Sequence, residues 1–533
     1  MESDCIPFRE TGYFSGLICD YLDQHAGLQQ FYNRFPSLEA FGDQIKEKSA
    51  AYPKAHRKVL FDCLPEQYKG FEASKATVTN LKLLQNENTF TVVTGHQLNL
   101  FTGPLYFLYK IISTINLTKQ LKEQYPGKHF VPVYWMATED HDFDEINYFN
   151  FQGRKLQWNR NEGGAVGRMD TNGLEEVWKA FKEHLGPGNN ARDLELLFKS
   201  AYLEHDTLAG ATRYLANELF GPYGLVIIDG DDPVLKRLMI PIIEKDLLEN
   251  ATHKEVTRSI GNLKKLEKAY KVQVNPRKLN YFYLTDGLRE RLEERNGRYH
   301  VLNTDLVFSQ EEILKELNTH PERFSPNVIT RPIYQEVILP NLCYIGGGGE
   351  LAYWLQLKPA FDALDITFPV LLLRNSVLMV SKKQVRKMVK LDLKMADLFL
   401  KQSAFINKRI RQISNIEIDF SEQKDLLAKQ FEDLYSLAEQ TDQSFLGAVK
   451  AQEIKQKKGL DKLEKRLLKA QKRKLKDEVE RMTALQDQLF PGKSLQERQL
   501  NFSEIYLELG AELIPALIRN LDPLDLRFSI ITY

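Results

Sequence analysis

The sequence predicts an α/β protein in which a parallel-sheet core with inserted segments is joined to a long α-helical coiled-coil arm. Three observations carry that expectation. Four short apolar runs are each followed by a polar or glycine-rich turn and then a helical pattern; a stretch near Val272 changes to hairpin-type strands; and beyond Ser376 the chain stays helical for more than a hundred residues.

The four runs are Thr89–Thr94, Phe130–Met136, Gly224–Asp229 and Phe368–Leu373. Near-continuous apolar strands followed by helices indicate a parallel sheet covered on both faces. Ligands of such sheets bind outside the carboxyl ends of the strands, so the turns after these runs are where chemistry is expected. From about Val272 to Asn303, Asp286-Gly287 and Asn296-Gly297 read as hairpin turns of an insertion into the core. In the arm, Leu460, Leu463, Leu467, Ala470, Leu475, Val479, Met482, Leu485 and Leu489 step mostly by three or four, a coiled-coil seam with one irregularity near Lys474. An earlier stripe, Leu427, Phe431, Leu434, Ala438, Phe445 and Ala448, is its expected antiparallel partner, and Pro491-Gly492 ends the long helix. The expected domains are a core over residues 1–376, a helical domain over 377–490 and a segment, 491–533, that returns to the core.

At 533 residues the chain exceeds one ordinary core. Its 72 basic and 72 acidic residues cancel, which argues against general nucleic-acid binding. No apolar run approaches the roughly 18 residues of a membrane span, and the opening Met-Glu-Ser-Asp-Cys is acidic where a secretion leader would be basic. Cys5, Cys19, Cys63 and Cys343 lie far apart with no CxxC pair, as in a reducing cytoplasm. A cytoplasmic protein with neither nucleic-acid nor membrane partners is expected.

The strongest local signal is the stretch Thr94–Tyr106. Gly95 and Gly103 allow close backbone approach, and Pro104 suits a first helical turn. Free N–H groups at the positive end of the helix dipole then face the strand ends, ready for a phosphate or carboxylate. Next comes Glu139-Asp-His-Asp-Phe-Asp-Glu145, five carboxylates and a histidine in seven residues. Carboxylates ~4 Å apart repel by about 4 kcal/mol at an effective dielectric near 20, so the cluster needs a cation: a substrate ammonium, a metal, or lysine and arginine from elsewhere. No second histidine stands at ligand spacing, which ranks a metal below a substrate amine. Ile345–Lys358 opens a helix with four glycines, another candidate anion cradle at Gly346 and Gly347, although it is neither a Walker A loop nor GxGxxG. Arg331, four residues before Gln335 on one helix face, and Arg374 suit bidentate capture of carboxylate or phosphate.

These stretches together resemble the bacillithiol biosynthesis cysteine-adding enzymes. The likeness rests on Val93-Thr-Gly-His-Gln97, Phe101-Thr-Gly-Pro-Leu-Tyr106, Trp135–Asn147, Asp229-Gly-Asp-Asp-Pro233, Gly346–Lys358, Leu373-Arg-Asn-Ser376 and Leu489–Arg498, in order along nearly the whole chain. It departs from the family pattern at His96, where glutamine is common, and near Gly348, where proline is common. The resemblance implies a Rossmann-like core akin to class I aminoacyl-tRNA synthetases, a coiled coil that makes a homodimer, and a ligase that adds L-cysteine to glucosaminyl malate in the last step of bacillithiol synthesis.

On that reading Asp140 and Asp142 attract the acceptor ammonium, and His141 takes its proton, with a pKa expected to be raised by its acidic neighbours. Glu139, Asp144 and Gln97 complete the substrate pocket, while Arg331, Arg374 and Lys358 take the malate carboxylates. An activating nucleotide, ATP or a relative, would lie against Gly95, Gly103, Tyr106, Gly346, Gly347, Asn375 and Ser376. No metal is expected. Two other functions suit the same residues: a coiled-coil assembly protein whose core merely binds a ligand, and a metal-dependent hydrolase built on the acidic cluster.

Overall fold

In a computed structural model that describes residues 2–160, 163–266 and 270–533, the chain forms two compact units. The first comprises residues 1–379 and 496–531, the second 380–495 with 532–533.

The first unit is built on five strands: β1 (Thr89–His96), β2 (His129–Met136), β3 (Val226–Asp229), β4 (Asn341–Gly346) and β5 (Val370–Leu373). They pair in the order β5-β4-β1-β2-β3, every pair parallel. Threonine and valine dominate β1, and all eight of its residues are buried, as in a sheet covered on both faces. Phe90, Val92 and Phe130 pack with Leu342, Ile345, Val370 and Leu372. Leu117 and Leu121 of helix α1 (Tyr106–Gln124) and Phe41 and Ile45 of the helix Leu38–Ala51 close over them.

The fourth strand, β4, is the one the apolar runs did not reveal. Its Leu-Cys-Tyr-Ile passes straight into four glycines, so the pattern resembles a loop, yet it forms the second strand of the sheet. Its place matters. The chain runs from β1 outward through β2 to β3, then returns to the other side of β1 as β4 and β5. The reversal lies between β1 and β4, and a crevice opens outside the carboxyl ends of strands at such a point.

Two further features frame that crevice. Strands at Tyr281–Thr285, Leu288–Arg295, Arg298–Val301, Val307–Phe308 and Phe324–Pro326 form an antiparallel sheet. Its turn at Asn296-Gly297 has both residues left-handed (φ 52° and 75°), the geometry a two-residue hairpin requires. Before α1, Phe101 and Thr102 are also left-handed (φ 48° and 68°), a conformation that costs energy without glycine. Tyr202 accepts the Phe101 N–H at 2.7 Å, and Asn501 Nδ2 donates to the carbonyls of Phe101 and Gly103, both at 2.7 Å. A Cβ on Gly103 would lie 2.7 Å from that of Asn99, so this turn needs glycine there.

The second unit is helical: α2 (Gln402–Ile413), α3 (Ser421–Ala438), α4 (Gln443–Lys474) and α5 (Lys476–Leu489). The irregularity near Lys474 is a real break, with Leu475 outside helical geometry. Helix α3 runs antiparallel along α4, from Lys424 against Asp461 and Glu464 to Ala438 against Val449. Beyond it Leu468, Leu475 and Val479 pack with Ile406, Ile410 and Ile413 of α2. Leu463, expected on the seam, is 52% exposed. Glu464 takes the inward place, paired with Lys424 and Arg411, and apolar periodicity cannot detect a contact row that includes a paired acid. No helix among the described residues is long and apolar enough to cross a membrane.

Candidate active site

A cavity of about 690 Å³ opens where the strand order reverses. Its floor is formed by Gly95 and His96 at the end of β1, Trp135 and Met136 of β2 and Tyr344 of β4. Tyr106 and Lys110 enter from α1, Arg331 from the helix Arg331–Ile338, and Glu350 and Tyr353 from the helix Gly348–Trp354. The turn Ala137–His141 forms one edge, and Phe282, Arg289 and Arg291 come from the inserted sheet.

Each charged group on the floor is held. Lys110 Nζ lies 2.6 Å from both the Gly95 carbonyl and Glu350 Oε1. Burial pulls the Lys110 ammonium below its usual pKa; Glu350, half-buried, is desolvated too, but Lys110 outweighs that penalty and holds its carboxyl below the usual range. Arg331 lies over the rings of Trp135 and Tyr344 and donates to Gln335, while its buried Nη2 has no hydrogen-bond partner among the described residues. A Cβ on Gly95 would meet Tyr344 Oη and Arg331 Nη1 at 3.5 and 3.7 Å, so glycine keeps this floor open. His96 Nδ1 faces the Gln97 carbonyl at 2.7 Å and must donate to it, which leaves the buried Nε2 as an acceptor with no partner among the described residues. Burial, followed by nearby Lys110, pulls the His96 pKa down to about 3.

At the edge, Glu139 is buried against Lys236, which also donates to the Phe324 carbonyl at 2.9 Å. Burial keeps its carboxyl above the usual range despite that lysine. Asp140 behaves oppositely: burial disfavours its charge, but hydrogen bonds from His141 and Gln97 prevail and hold its carboxyl well below the usual range. Gln97 Nε2 spans Asp140 at 2.8 Å and Glu145 at 2.9 Å. His141 Nδ1 lies 2.7 Å from Arg289 Nη1. A guanidinium only donates, so in this contact Nδ1 is the acceptor.

Gly95, Gln97, Tyr106, Glu139, Asp140, His141 and Arg331 therefore meet in one cavity. Asp142 and Asp144 lie outside its lining, both exposed, Asp142 just before the short helix turn Phe143–Ile146 and Asp144 on it. Arg374 is directed into a two-point ion pair with buried Glu497, at 3.0 and 2.8 Å. Asn375 bonds Ser113 and the Asp522 carbonyl, and Ser376 accepts from Arg374 and, through its carbonyl, from Ser529. Lys358 pairs with Asp362. The Gly103 N–H donates to Leu100 and the Gly347 N–H to Glu350, so both are used within their own turns. Gly346 is crowded: a Cβ there would come within 2.9 Å of Leu351, Glu350 and Tyr344.

Sequence reasoning passed over Lys110, Arg289 and Arg291. A lone lysine inside the apolar run Tyr106–Ile112, and two arginines at alternate positions of one strand, were the signals available.

A parallel sheet with a charged crevice at its reversal point, joined in one chain to a helical arm, defines a Rossmann-like α/β protein with a coiled-coil domain. Residues 1–375 match the family model "Bacillithiol biosynthesis BshC, N-terminal Rossmann-like domain", and residues 377–533 match "Bacillithiol biosynthesis BshC, C-terminal coiled-coil domain". The chain belongs to the bacillithiol biosynthesis BshC family. It is 58% identical over 537 residues to a Christiangramia forsetii protein, covering 100% of this chain and 99% of that one. It is 28% identical over 527 residues to one from Bacillus cereus, covering 95% and 96%. Both relatives carry the name "Putative cysteine ligase BshC". A Campylobacter jejuni structure described as a "putative arginyl t-RNA synthetase" aligns over 84% of this chain and 98% of its own, at 10% identity and a TM-score of 0.20, too distant to carry an argument.

Proposed function

We propose that the protein joins L-cysteine to glucosaminyl malate, completing bacillithiol. The observation that supports this most directly is the gathering of both charges within one cavity. Glu139 and Asp140 lie at one edge beside Arg289, and Arg277, Arg291 and Arg331 line the same cavity. An acceptor with one amine and two carboxylates is complementary to that pattern. In the reaction the acceptor nitrogen attacks the activated cysteine carboxyl carbon, a C–N bond forms, the activating group leaves with its electron pair, and the nitrogen loses a proton. Free acid and amine do not condense spontaneously in water, so a nucleoside triphosphate is the co-substrate this reading requires. Arg331, whose buried Nη2 has no hydrogen-bond partner among the described residues, is the floor cation available to an anionic group of either co-substrate.

Asp140, ionised and facing the cavity, attracts the acceptor ammonium. His141 receives a proton at Nδ1 only when Arg289 releases that atom. The test is incubation of the purified chain with cysteine and glucosaminyl malate, with and without ATP, followed by mass spectrometry. Nucleotide-dependent appearance of bacillithiol is expected, with roughly a hundredfold loss or more in His141→Asn. No product under any nucleotide condition, from protein that is folded, would overturn the assignment.

A further inference from the structure

Five cationic and three acidic side chains line the cavity. Glu350 is bonded to Lys110 and Glu139 to Lys236, which leaves Asp140 as the one lining acid without a lysine partner among the described residues, in a lining that carries four guanidiniums. Three of these, Arg277, Arg289 and Arg291, come from the insertion. Arg289 donates to Ser325 Oγ, the Pro326 carbonyl and His141 Nδ1, makes no direct ion pair among the described residues, and lies 4.0 Å from the ring centre of Phe282. The side chains of Arg277 and Arg291 make no hydrogen bond or ion pair among the described residues, and the acid whose charge they feel, Glu293, is already bonded to Arg295. Arg289 and Arg291 stand two apart on one strand and so project to the same side. Like charges gathered in a cleft repel, and an anion with several oxygens relieves that repulsion while using the planar forks in pairs.

We infer that Arg277, Arg289 and Arg291 form a clamp for a dicarboxylate, and that this clamp seats the two carboxylates of the acceptor. The inference rests on the proposed ligase function for the identity of that acceptor. Position favours the acceptor over a nucleotide as the source of the anion. Arg289 touches His141, so the clamp adjoins the edge where Asp140 attracts an amine, and glucosaminyl malate carries both groups on one molecule. Arg374 and Lys358 already face acids of their own.

The test is calorimetric titration of the full chain and of its Arg277→Gln, Arg291→Gln and Arg291→Lys variants with four probes: L-malate, glucosaminyl malate, glucosamine and ATP. Arg277 is exposed and Arg291 half-buried, so these changes leave the core intact. Both glutamine variants should bind malate and glucosaminyl malate roughly tenfold or more weakly, the loss of a charge-assisted bond. Arg291→Lys should lose less, and glucosamine and ATP should bind as before. ATP weakened as much as glucosaminyl malate would make the cluster a phosphate site and overturn the clamp. So would wild-type affinity for malate in both glutamine variants. If the wild type binds malate through these arginines but does not use glucosaminyl malate, the clamp stands and the ligase reading falls. If it turns over glucosaminyl malate and the variants bind that substrate unchanged, the reverse holds.

Discussion

Replacing Glu497 with alanine should destabilise the first unit by an amount that can be worked out. The Arg374–Glu497 pair is 3% and 0% exposed, and Glu497 also accepts the Val377 N–H at 3.0 Å. Removing the acid strands a buried guanidinium, and breaking such a pair costs about 3–5 kcal/mol. The unit has roughly 415 residues, 1–379 with 496–531. At an unfolding entropy of about 2.1 cal/mol/K per residue, its total is roughly 0.9 kcal/mol/K, so the melting temperature should fall by about 3–6 °C. Calorimetric scans of wild type, Glu497→Ala and the neutral pair Arg374→Met with Glu497→Leu measure this, and the double variant should recover part of the loss. Steady-state kinetics of the folded fraction complete the test, because an arginine engaged by Glu497 leaves KM for either substrate unchanged. A single variant that melts with the wild type, or a double variant equally unstable, would refute the electrostatic argument. A raised KM in the Arg374 variant would return that residue to the substrate.

Three further outcomes are expected. The Asp140 carboxyl is held below its usual range, so its stabilisation is complete above the unfolded-state value near 3.9 and is lost as pH falls toward the folded value; Asp140→Asn should flatten the melting profile below about pH 4, and superimposable acid limbs would reject this. The unfolded chain protonates His96 near pH 6.5 whereas the folded chain does so near pH 3, so folding loses stability as pH drops below about 6.5. His96→Gln should narrow the difference in melting temperature between pH 7.5 and 5, and an unchanged difference would mean that His96 accepts a proton in place. In the second unit Leu426, Leu437, Phe445, Ile454 and Leu463 are 41% to 55% exposed; if a second copy of the chain covers them, changing Leu437, Ile454 and Leu463 to serine should halve the mass seen by light scattering, and a monomeric wild type would dispose of the dimer.

Most of the sheet was legible because strands buried on both faces are written as unbroken apolar runs, and four of the five announce themselves in this way. Strand β4 does not, because its glycines belong at once to the strand end and to the helix start. Within the site, the acids around His141 were legible because they are contiguous. The arginines that face them come from a hairpin about 150 residues later, and no local pattern expresses that meeting. Arg374 illustrates the opposite error of sequence reasoning: an arginine at a strand end suggests a ligand contact, and only the return of Glu497, 123 residues on, shows what the side chain faces. Motifs locate the crevice, but partners distant in sequence decide which side chains remain available to a ligand.

The late arrival of residues 496–531 also sets an order in time. The ribosome must make residues 380–495 first, which at about 5–20 residues per second takes roughly 6–23 s. Throughout that interval Arg374 has no Glu497, and the left-handed turn at Phe101 and Thr102 has no Asn501 to hold its carbonyls. The helical arm, continuous in sequence, has nearly all its own contacts available as it emerges. The nascent core instead waits with all five strands made but its crevice unsecured, so the second unit has the opportunity to finish before the first, and the incomplete first unit is the species a chaperone would meet.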